Sequence, residues 1–159
     1  IYYLLAYILT NLAAFGIIMA VGRVTGSDEI RSYDGMSRRS PYLGLAMLVA
    51  FLSLAGMPPF GGFMGKILVF AGAIQAGWYV LVIIGVLNSI IGLYYYLTVL
   101  KYVYLYRMAG ENEETQPIQV SRPFVIAIVI LTLGIVLVGS FFGPWFDFAT
   151  NAALSLKLF

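Results

Sequence analysis

Long apolar stretches alternate with short polar segments along the whole chain. A bilayer core about 30 Å thick is crossed by about 20 helical residues, and five apolar stretches reach or approach this length. They are Tyr2–Val21, Tyr42–Met57, Pro59–Ala76, Trp78–Tyr102 and Phe124–Phe142. The pattern predicts an all-α membrane protein, with residues 1–159 forming a single membrane domain of five transmembrane helices.

Two polar segments, Arg23–Ser40 and Met108–Arg122, interrupt the apolar stretches. Three of the five predicted spans lie between these segments, and each span crosses the membrane once. We therefore expect the two polar segments on opposite faces of the membrane.

One of the predicted helices is discontinuous, in the region Pro58–Lys66. Proline interrupts a helix because it lacks a backbone N–H, and glycine weakens a helix by about 1 kcal/mol relative to alanine. The residues that predict the break are Pro58, Pro59, Gly61, Gly62 and Gly65. Irregular backbone at membrane depth persists only where it is buried in protein or lines a wet cavity, so the break supports a functional interpretation of this region.

The tail that follows Gly143-Pro144 has a different pattern. Asp147, Thr150, Asn151 and Ser155 recur at helical spacing, with aromatic and small apolar residues on the other side. This pattern predicts an amphipathic helix that lies along the membrane interface or along a partner subunit. An ordinary frayed terminus is the alternative.

Lys66 is the one charged residue that falls clearly inside a predicted span. A lysine at the centre of a membrane helix costs about 2.5 to 3.5 kcal/mol, and such residues are functional candidates. The seven acidic residues all lie outside the spans: Asp28, Glu29, Asp34, Glu111, Glu113, Glu114 and Asp147. Lys66 therefore has no carboxylate partner at membrane depth within this chain.

Three interpretations of Lys66 remain open, one of which is that its counter-charge comes from another part of a longer protein or from another subunit. Its long stem lets the amine reach the membrane surface, as many lysines near helix ends do. Alternatively, Lys66 faces a hydrated cavity and acts as a proton relay, because removal from water disfavours the charged form of a lysine. The three preceding glycines favour the relay, since a simple anchor gains nothing from a weakened helix.

Four other polar residues in the predicted spans are candidates for lining a chain of water molecules: Asn11, Ser53, Asn88 and Ser89. The alternative is that they form hydrogen bonds between helices, which is the common role of such residues in membrane proteins. Gly85, Ser89 and Gly92 also form a face of small residues that suits close helix packing.

Composition agrees with a bilayer environment and limits the chemistry. The chain is 62% hydrophobic and 10% charged, whereas soluble domains carry about 25% charged residues. Its net charge of +2 is too small to indicate a nucleic-acid partner. The absence of Cys and His excludes thiolate clusters and His-ligated haem, so we expect no cofactor in this chain. Because the sequence starts inside an apolar run, we also expect it to be a piece of a longer protein.

Two stretches of the sequence resemble a known family. Ser53–Pro59 (SLAGMPP) followed by Gly62–Lys66 (GFMGK) resembles the broken-helix motif of the antiporter-like subunits of respiratory complex I. Gly92–Leu97 (GLYYYL) is similar to the next helix of the N subunits of NADH-quinone oxidoreductase. The resemblance covers essentially the whole chain.

This resemblance implies a fold and a function. The chain would be the C-terminal part of a subunit of about fourteen helices, comprising the second inverted repeat and the last helix. Lys66 would be a proton relay in a subunit that pumps protons while electrons pass from NADH to quinone elsewhere in the complex. NADH, FMN, iron–sulfur clusters and quinone would bind other subunits.

The resemblance also implies partners and a location. The partners would be other membrane-arm subunits, including neighbouring antiporter-like subunits, together with the lipid bilayer, protons and water. The location would be the bacterial inner membrane. Two alternatives remain: a subunit of a multisubunit sodium/proton antiporter, which shares the Pro-Pro, Gly-Phe and Lys pattern, and a structural membrane module without a transport role.

Overall fold

The computed structural model describes residues 1–27, 29–106 and 118–156, and all regular structure within these ranges is helical. The elements are α1 (Tyr2–Thr25), a 3₁₀ turn (Ile30–Tyr33), α2 (Met36–Arg39), α3 (Pro41–Ala55), α4 (Gly61–Gln75), α5 (Tyr79–Tyr104), α6 (Arg122–Ser140) and α7 (Phe142–Leu156). The predicted all-α class is therefore confirmed.

Three helices in the described ranges are long and apolar enough to cross a membrane, namely α1, α5 and α6. The chain is thus an integral, multi-pass membrane protein. Helices α3 and α4 are apolar but have 15 residues each, which gives a length of about 22 Å at 1.5 Å per residue. Each is shorter than the hydrocarbon core, so neither matches the full-length span that the apolar pattern predicted.

The end of α3 and the start of α4 follow from local sequence. Helix α3 ends at Gly56, whose φ of 81° is left-handed and is the conformation that commonly terminates a helix. The next helix begins only after Phe60, whose backbone is extended. The interruption therefore lies at the Gly56–Phe60 segment, where the sequence places Pro58 and Pro59.

Helix α4 continues in the direction of α3 rather than turning back beside it. Three contacts along α1 establish this: Thr10 with Ser53, Ala6 with Gly61, and Tyr3 with Gly65. The partners on α1 move steadily toward its N-terminal end as the chain passes from α3 into α4. The two short helices therefore lie in series.

The ends of the bundle differ from the sequence-based expectation. The Gly35 N–H, in the connection between α1 and α3, donates a hydrogen bond of 3.2 Å to the Tyr102 carbonyl near the end of α5. Residues Gln119–Ser121 also lie beside Arg23 at the end of α1. The described parts of the two polar segments, including residues 29–40 and 118–122, therefore lie at the same end of the bundle, which is at odds with the predicted placement on opposite faces. The physical reason is that α3 and α4 advance in one direction along α1, so the second helix does not return the chain to the end at which α3 begins.

Helix α1 is the centre of the packing. It contacts α3, α4 and α6, and its small residues Ala13, Ala14 and Gly16 are buried, which allows close approach of neighbouring helices. Helix α5 lies at the outside, and none of its most apolar 18-residue window is buried. A large apolar face of α5 is therefore left for lipid or protein.

Helix α7 has the amphipathic character that the sequence predicted. Its polar residues Asp147, Thr150, Asn151 and Ser155 are exposed. On the other side Ala149 is buried with Tyr2 and Val138, and the Phe142 ring meets Tyr2 edge-on at 5.3 Å between centroids. The apolar side of α7 thus packs on the N-terminal end of α1.

Candidate functional site

Lys66 caps the C-terminal end of α3. Its Nζ donates hydrogen bonds to the carbonyl oxygens of Leu54 at 2.9 Å and Ala55 at 3.3 Å. The last carbonyls of a helix have no partner within that helix, and they carry a partial negative charge of about half an electron. Among the described residues, the partner of the Lys66 ammonium is therefore the end of a helix rather than a carboxylate.

Gly56 makes room for this contact. A Cβ atom at Gly56 would lie 3.0 Å from Cδ and 3.2 Å from Nζ of Lys66. Glycine is thus favoured at this position for two reasons. It adopts the left-handed backbone without strain, and it has no Cβ that would crowd the Lys66 side chain.

The glycines of α4 serve close packing. They lie within a regular helix (Gly61–Gln75), where Gly61 and Gly65 are buried. A Cβ at Gly65 would lie 2.7 Å from Cδ2 of Tyr3, and one at Gly62 would overlap the Ser53 carbonyl. The sequence predicts that these glycines weaken the helix, whereas in the structure they bring α4 against α1 and α3.

A cleft of about 220 Å³ opens beside Lys66, with room for several water molecules. Helices α1, α3, α4 and α5 all contribute to its wall. The polar lining residues, besides Lys66, are Tyr3, Tyr7, Thr10, Ser53, Asn88, Ser89 and Tyr96. The cleft therefore brings three of the four predicted polar candidates together with the lysine.

A second cleft, of about 280 Å³, lies on the other side of Lys66. Its wall is apolar, with side chains such as Phe63, Phe70 and Leu93, and Lys66 and Ser89 are its polar lining residues. Lys66 thus stands between a polar and an apolar cleft.

Asn11 does not line the cleft around Lys66. Its Nδ2 donates to the Tyr7 carbonyl of its own helix at 2.8 Å. Asn11 follows Thr10, so it points about 100° around the helix away from the cleft. Asn88 lines the cleft and is exposed, and Ser89 Oγ donates to the Gly85 carbonyl at 2.9 Å.

The tyrosines of the cleft were missed by the sequence analysis. Tyr3 and Tyr7 stack with 5.7 Å between ring centroids, and Tyr96 lines the same cleft from α5. A signal was present, because Tyr3, Tyr7 and Thr10 are spaced four and three residues apart and share one face of α1.

Among the described residues, no group of three or more His, Cys, Asp or Glu side chains is arranged to hold a metal ion. The cleft chemistry consists of one amine, hydroxyls, one amide and backbone carbonyls. Such groups can hold water and exchange protons through the lysine.

Comparison with known proteins fits this arrangement. Residues 1–92 match the family described as NADH:quinone oxidoreductase/Mrp antiporter, transmembrane. The chain belongs to this family. The matched segment contains the α3–α4 break, Lys66 and most of the polar cleft.

Individual relatives agree along nearly the full chain. It is 37% identical over 156 residues to NADH-quinone oxidoreductase subunit N of Heliobacterium modesticaldum, covering 98% of this chain and 32% of the relative. It is 41% identical over 153 residues to the subunit N of Trichlorobacter lovleyi, covering 96% and 31% respectively. The chain therefore spans about a third of the length of the curated relatives it matches.

A solved structure shares the fold. A chain of respiratory complex I from Thermus thermophilus with bound aureothin superposes with a TM-score of 0.73 at 31% identity, covering 89% of this chain and 32% of that chain. The helical arrangement of this chain thus recurs in one portion of a longer chain of that complex.

Proposed function

We propose that this chain is the C-terminal part of a proton-translocating membrane-arm subunit of NADH-quinone oxidoreductase, with Lys66 as a protonatable relay. The observation that carries the proposal is the Lys66 ammonium held on the Leu54 and Ala55 carbonyls at the edge of a polar cleft. The two subunit N relatives, matched over nearly the whole chain, support it.

The end of α3 suits a lysine that gains and loses a proton. Carbonyl oxygens and the negative end of the helix dipole stabilise the ammonium. When the amine is neutral, water in the cleft can donate to the same carbonyls. Neither state then leaves a polar group without a partner, which suits a lysine that gains and loses a proton.

We further propose that α3 and α4 together make one discontinuous membrane crossing, which gives four crossings within the described ranges: α1, α3 with α4, α5 and α6. Placed in series, the two 15-residue helices extend about 45 Å, more than the hydrocarbon core requires. Lys66 then lies near the interruption, at membrane depth, with α7 along the membrane surface.

The remaining elements of the proposal concern the assembly. Electron transfer from NADH through FMN and iron–sulfur clusters to quinone takes place in other subunits, and this chain supplies no redox group. Its partners are other membrane-arm subunits, including neighbouring antiporter-like subunits, and the lipid of a bacterial inner membrane. The exposed apolar face of α5 provides surface for these contacts.

Replacement of Lys66 in the intact complex tests the proposal. Lys66→Ala removes the amine, and we expect proton uptake per NADH oxidised in membrane vesicles to fall at least several-fold. Lys66→Arg retains a cation that stays protonated, so pumping also falls although the α3 end keeps a charged partner. Lys101→Ala is the matched control, because Lys101 is exposed near the end of α5. Normal pumping and quinone reductase activity in Lys66→Ala contradict the proposal.

A sodium/proton antiporter subunit is the second candidate, because the matching family description also names Mrp antiporters. The two functions differ in their driving force. Proton movement that follows NADH oxidation without sodium supports the first, and proton movement that requires an imposed sodium gradient supports the second.

A further inference from the structure

Ser53 forms hydrogen bonds that connect α1, α3 and α4 beside the carbonyls that Lys66 binds. It is fully buried, with 0% of its surface exposed. Its Oγ lies 3.1 Å from Thr10 Oγ1 and accepts a hydrogen bond of 3.3 Å from the Gly62 N–H. Three helices are therefore connected through one small hydroxyl group.

The direction of these hydrogen bonds follows from the number of protons. Thr10 Oγ1 donates to the Ala6 carbonyl at 2.7 Å, and a hydroxyl has a single proton to donate. Thr10 must then accept from Ser53, and Ser53 accepts from Gly62. The chain runs from the Gly62 N–H through Ser53 and Thr10 to the Ala6 carbonyl.

Both ends of this series of hydrogen bonds are backbone groups. A peptide N–H and a peptide carbonyl do not pass a proton onward under ordinary conditions, so these hydroxyls are a brace between helices. Ser53 was expected from the sequence to be either a water-chain residue or a bond between helices, and its partners favour the second role.

The brace and the lysine cap are adjacent on both helices. Ser53 immediately precedes Leu54, and Gly62 lies four residues before Lys66, on the same face of α4. The contact between Ser53 and Gly62 is close, since any Cβ at Gly62 would overlap the Ser53 carbonyl. Two points of attachment thus fix the position of α4 relative to the end of α3.

We propose that Ser53 is a positioning residue for Lys66: through Thr10 and Gly62 it sets the spacing of α3 and α4 and so holds the Lys66 ammonium on the Leu54 and Ala55 carbonyls. The contact favours the ammonium over the amine, because hydrogen bonds to the charged form stabilise it. The titratable groups that face Lys66 in the cleft are Tyr3 and Tyr7 on α1 and Tyr96 on α5. None of the described lining residues is a carboxylate.

The test measures the protonation of Lys66 in the intact membrane complex. The rate at which Lys66 reacts with an amine-reactive ester, followed by peptide mass spectrometry across a range of pH, reports the fraction of neutral amine. Ser53→Ala and Thr10→Val each remove a hydroxyl from the brace. We therefore expect the pH midpoint of Lys66 modification to fall by about one unit, which is a tenfold change in the ratio of ammonium to amine. The double variant should show the same midpoint as the single variants, because both substitutions break the same hydrogen-bond chain.

Thr132→Val is the matched control. Thr132 Oγ1 bonds the Ile128 carbonyl one turn back at 2.8 Å, as Thr10 bonds Ala6, and lies in α6 away from the brace. We expect an unchanged midpoint. Thr10→Ser keeps the hydroxyl and should also keep the wild-type midpoint. If Ser53→Ala does not assemble, the comparison of Thr10→Val with Thr10→Ser tests whether the hydroxyl chain positions Lys66. A wild-type midpoint in Thr10→Val and in any assembled Ser53→Ala overturns the proposal, whatever happens to the amount of complex.

The pumping part of this inference rests on the proposed function of Lys66, and the reactivity assay does not. If Lys66 is the relay, the loss of proton pumping at alkaline pH shifts to lower pH together with the midpoint of Lys66 reactivity. A midpoint that moves while the pumping profile stays in place supports positioning by Ser53 and contradicts the relay. Loss of pumping in Lys66→Ala with an unmoved midpoint in the brace variants supports the relay and contradicts the positioning role.

Discussion

At the scale of single residues, the main finding is how a lysine within an apolar helix is stabilised. Lys66 uses the two carbonyls at the end of α3, and hydrogen bonds to a charged group contribute about 1.5 to 3 kcal/mol each. That is comparable with the cost of placing a lysine at membrane depth. The helix end therefore accounts for a cation that has no acidic partner in the spans.

Gly56 provides a prediction at this scale. Gly56→Ala places a side chain at a φ of 81°, at a cost of about 1 to 3 kcal/mol, and also pushes on the Lys66 stem. Gly77 has a φ of 79° and nothing within 4 Å of an added Cβ, so Gly77→Ala carries the strain alone. We expect a lower melting temperature in both variants, measured on the purified complex, and a loss of proton pumping in Gly56→Ala alone. Equal pumping in the two assembled variants contradicts the role of Gly56 in placing Lys66.

The sequence predicted part of this site. Lys66 was identified because charge inside an apolar stretch is visible in the chain, and the break because Pro58 and Pro59 have local effects. The partner of Lys66 was not predictable, because it is a pair of backbone carbonyls, and their position beside Lys66 depends on how α4 is placed after the end of α3. Likewise, sequence did not distinguish Asn11, which bonds its own helix, from Ser53, which bonds two others.

At the scale of elements, the α3–α4 pair determines the geometry of the site. Because the two helices lie in series, the C-terminal end of α3 lies beside the second turn of α4. Lys66 in that turn can therefore bind the last carbonyls of α3. The pattern of apolar residues could not show this, because two 15-residue stretches are compatible with two short crossings or with one interrupted crossing. Contacts with α1 decide the direction of α4.

Close packing at this junction leads to a second prediction. Gly62→Ala introduces a Cβ that overlaps the Ser53 carbonyl, whereas Gly72, in the same helix, has nothing within 4 Å of an added Cβ. Gly72→Ala should stabilise α4 by up to about 1 kcal/mol, the usual helix preference for alanine. Gly62→Ala should instead lower the melting temperature and reduce pumping, because α4 must move away from α3. A thermal unfolding series of both variants checks this, and equal melting temperatures contradict it.

At the scale of the whole molecule, α1 is central and α5 is peripheral. The small buried residues of α1 let three helices approach it, while the outer face of α5 is apolar and exposed. Since the chain spans about a third of its relatives, the outer face is where further protein or lipid can pack. The overall helical class was predictable from composition, whereas the direction of α4 relative to α3 depended on tertiary contacts.

Membrane topology distinguishes four crossings from five. The chain has no cysteine, so Ser32→Cys and Gln119→Cys each introduce a single thiol in the polar connections. Four crossings predict that a membrane-impermeant maleimide labels both from the same side of sealed vesicles. Labelling from opposite sides contradicts the proposed single crossing by α3 and α4.

The most direct test of the central claim restores a lysine-like amine chemically. Lys66→Cys removes the amine, and aminoethylation of the thiol in the assembled complex returns one at nearly the same length, while treatment with iodoacetamide adds a neutral group of similar size. Proton uptake per NADH oxidised should be low in Lys66→Cys, recover after aminoethylation and stay low after iodoacetamide, with the treated wild-type complex as control. Full pumping by untreated Lys66→Cys, or equal pumping after the two treatments, would contradict the assignment of Lys66 as a proton relay.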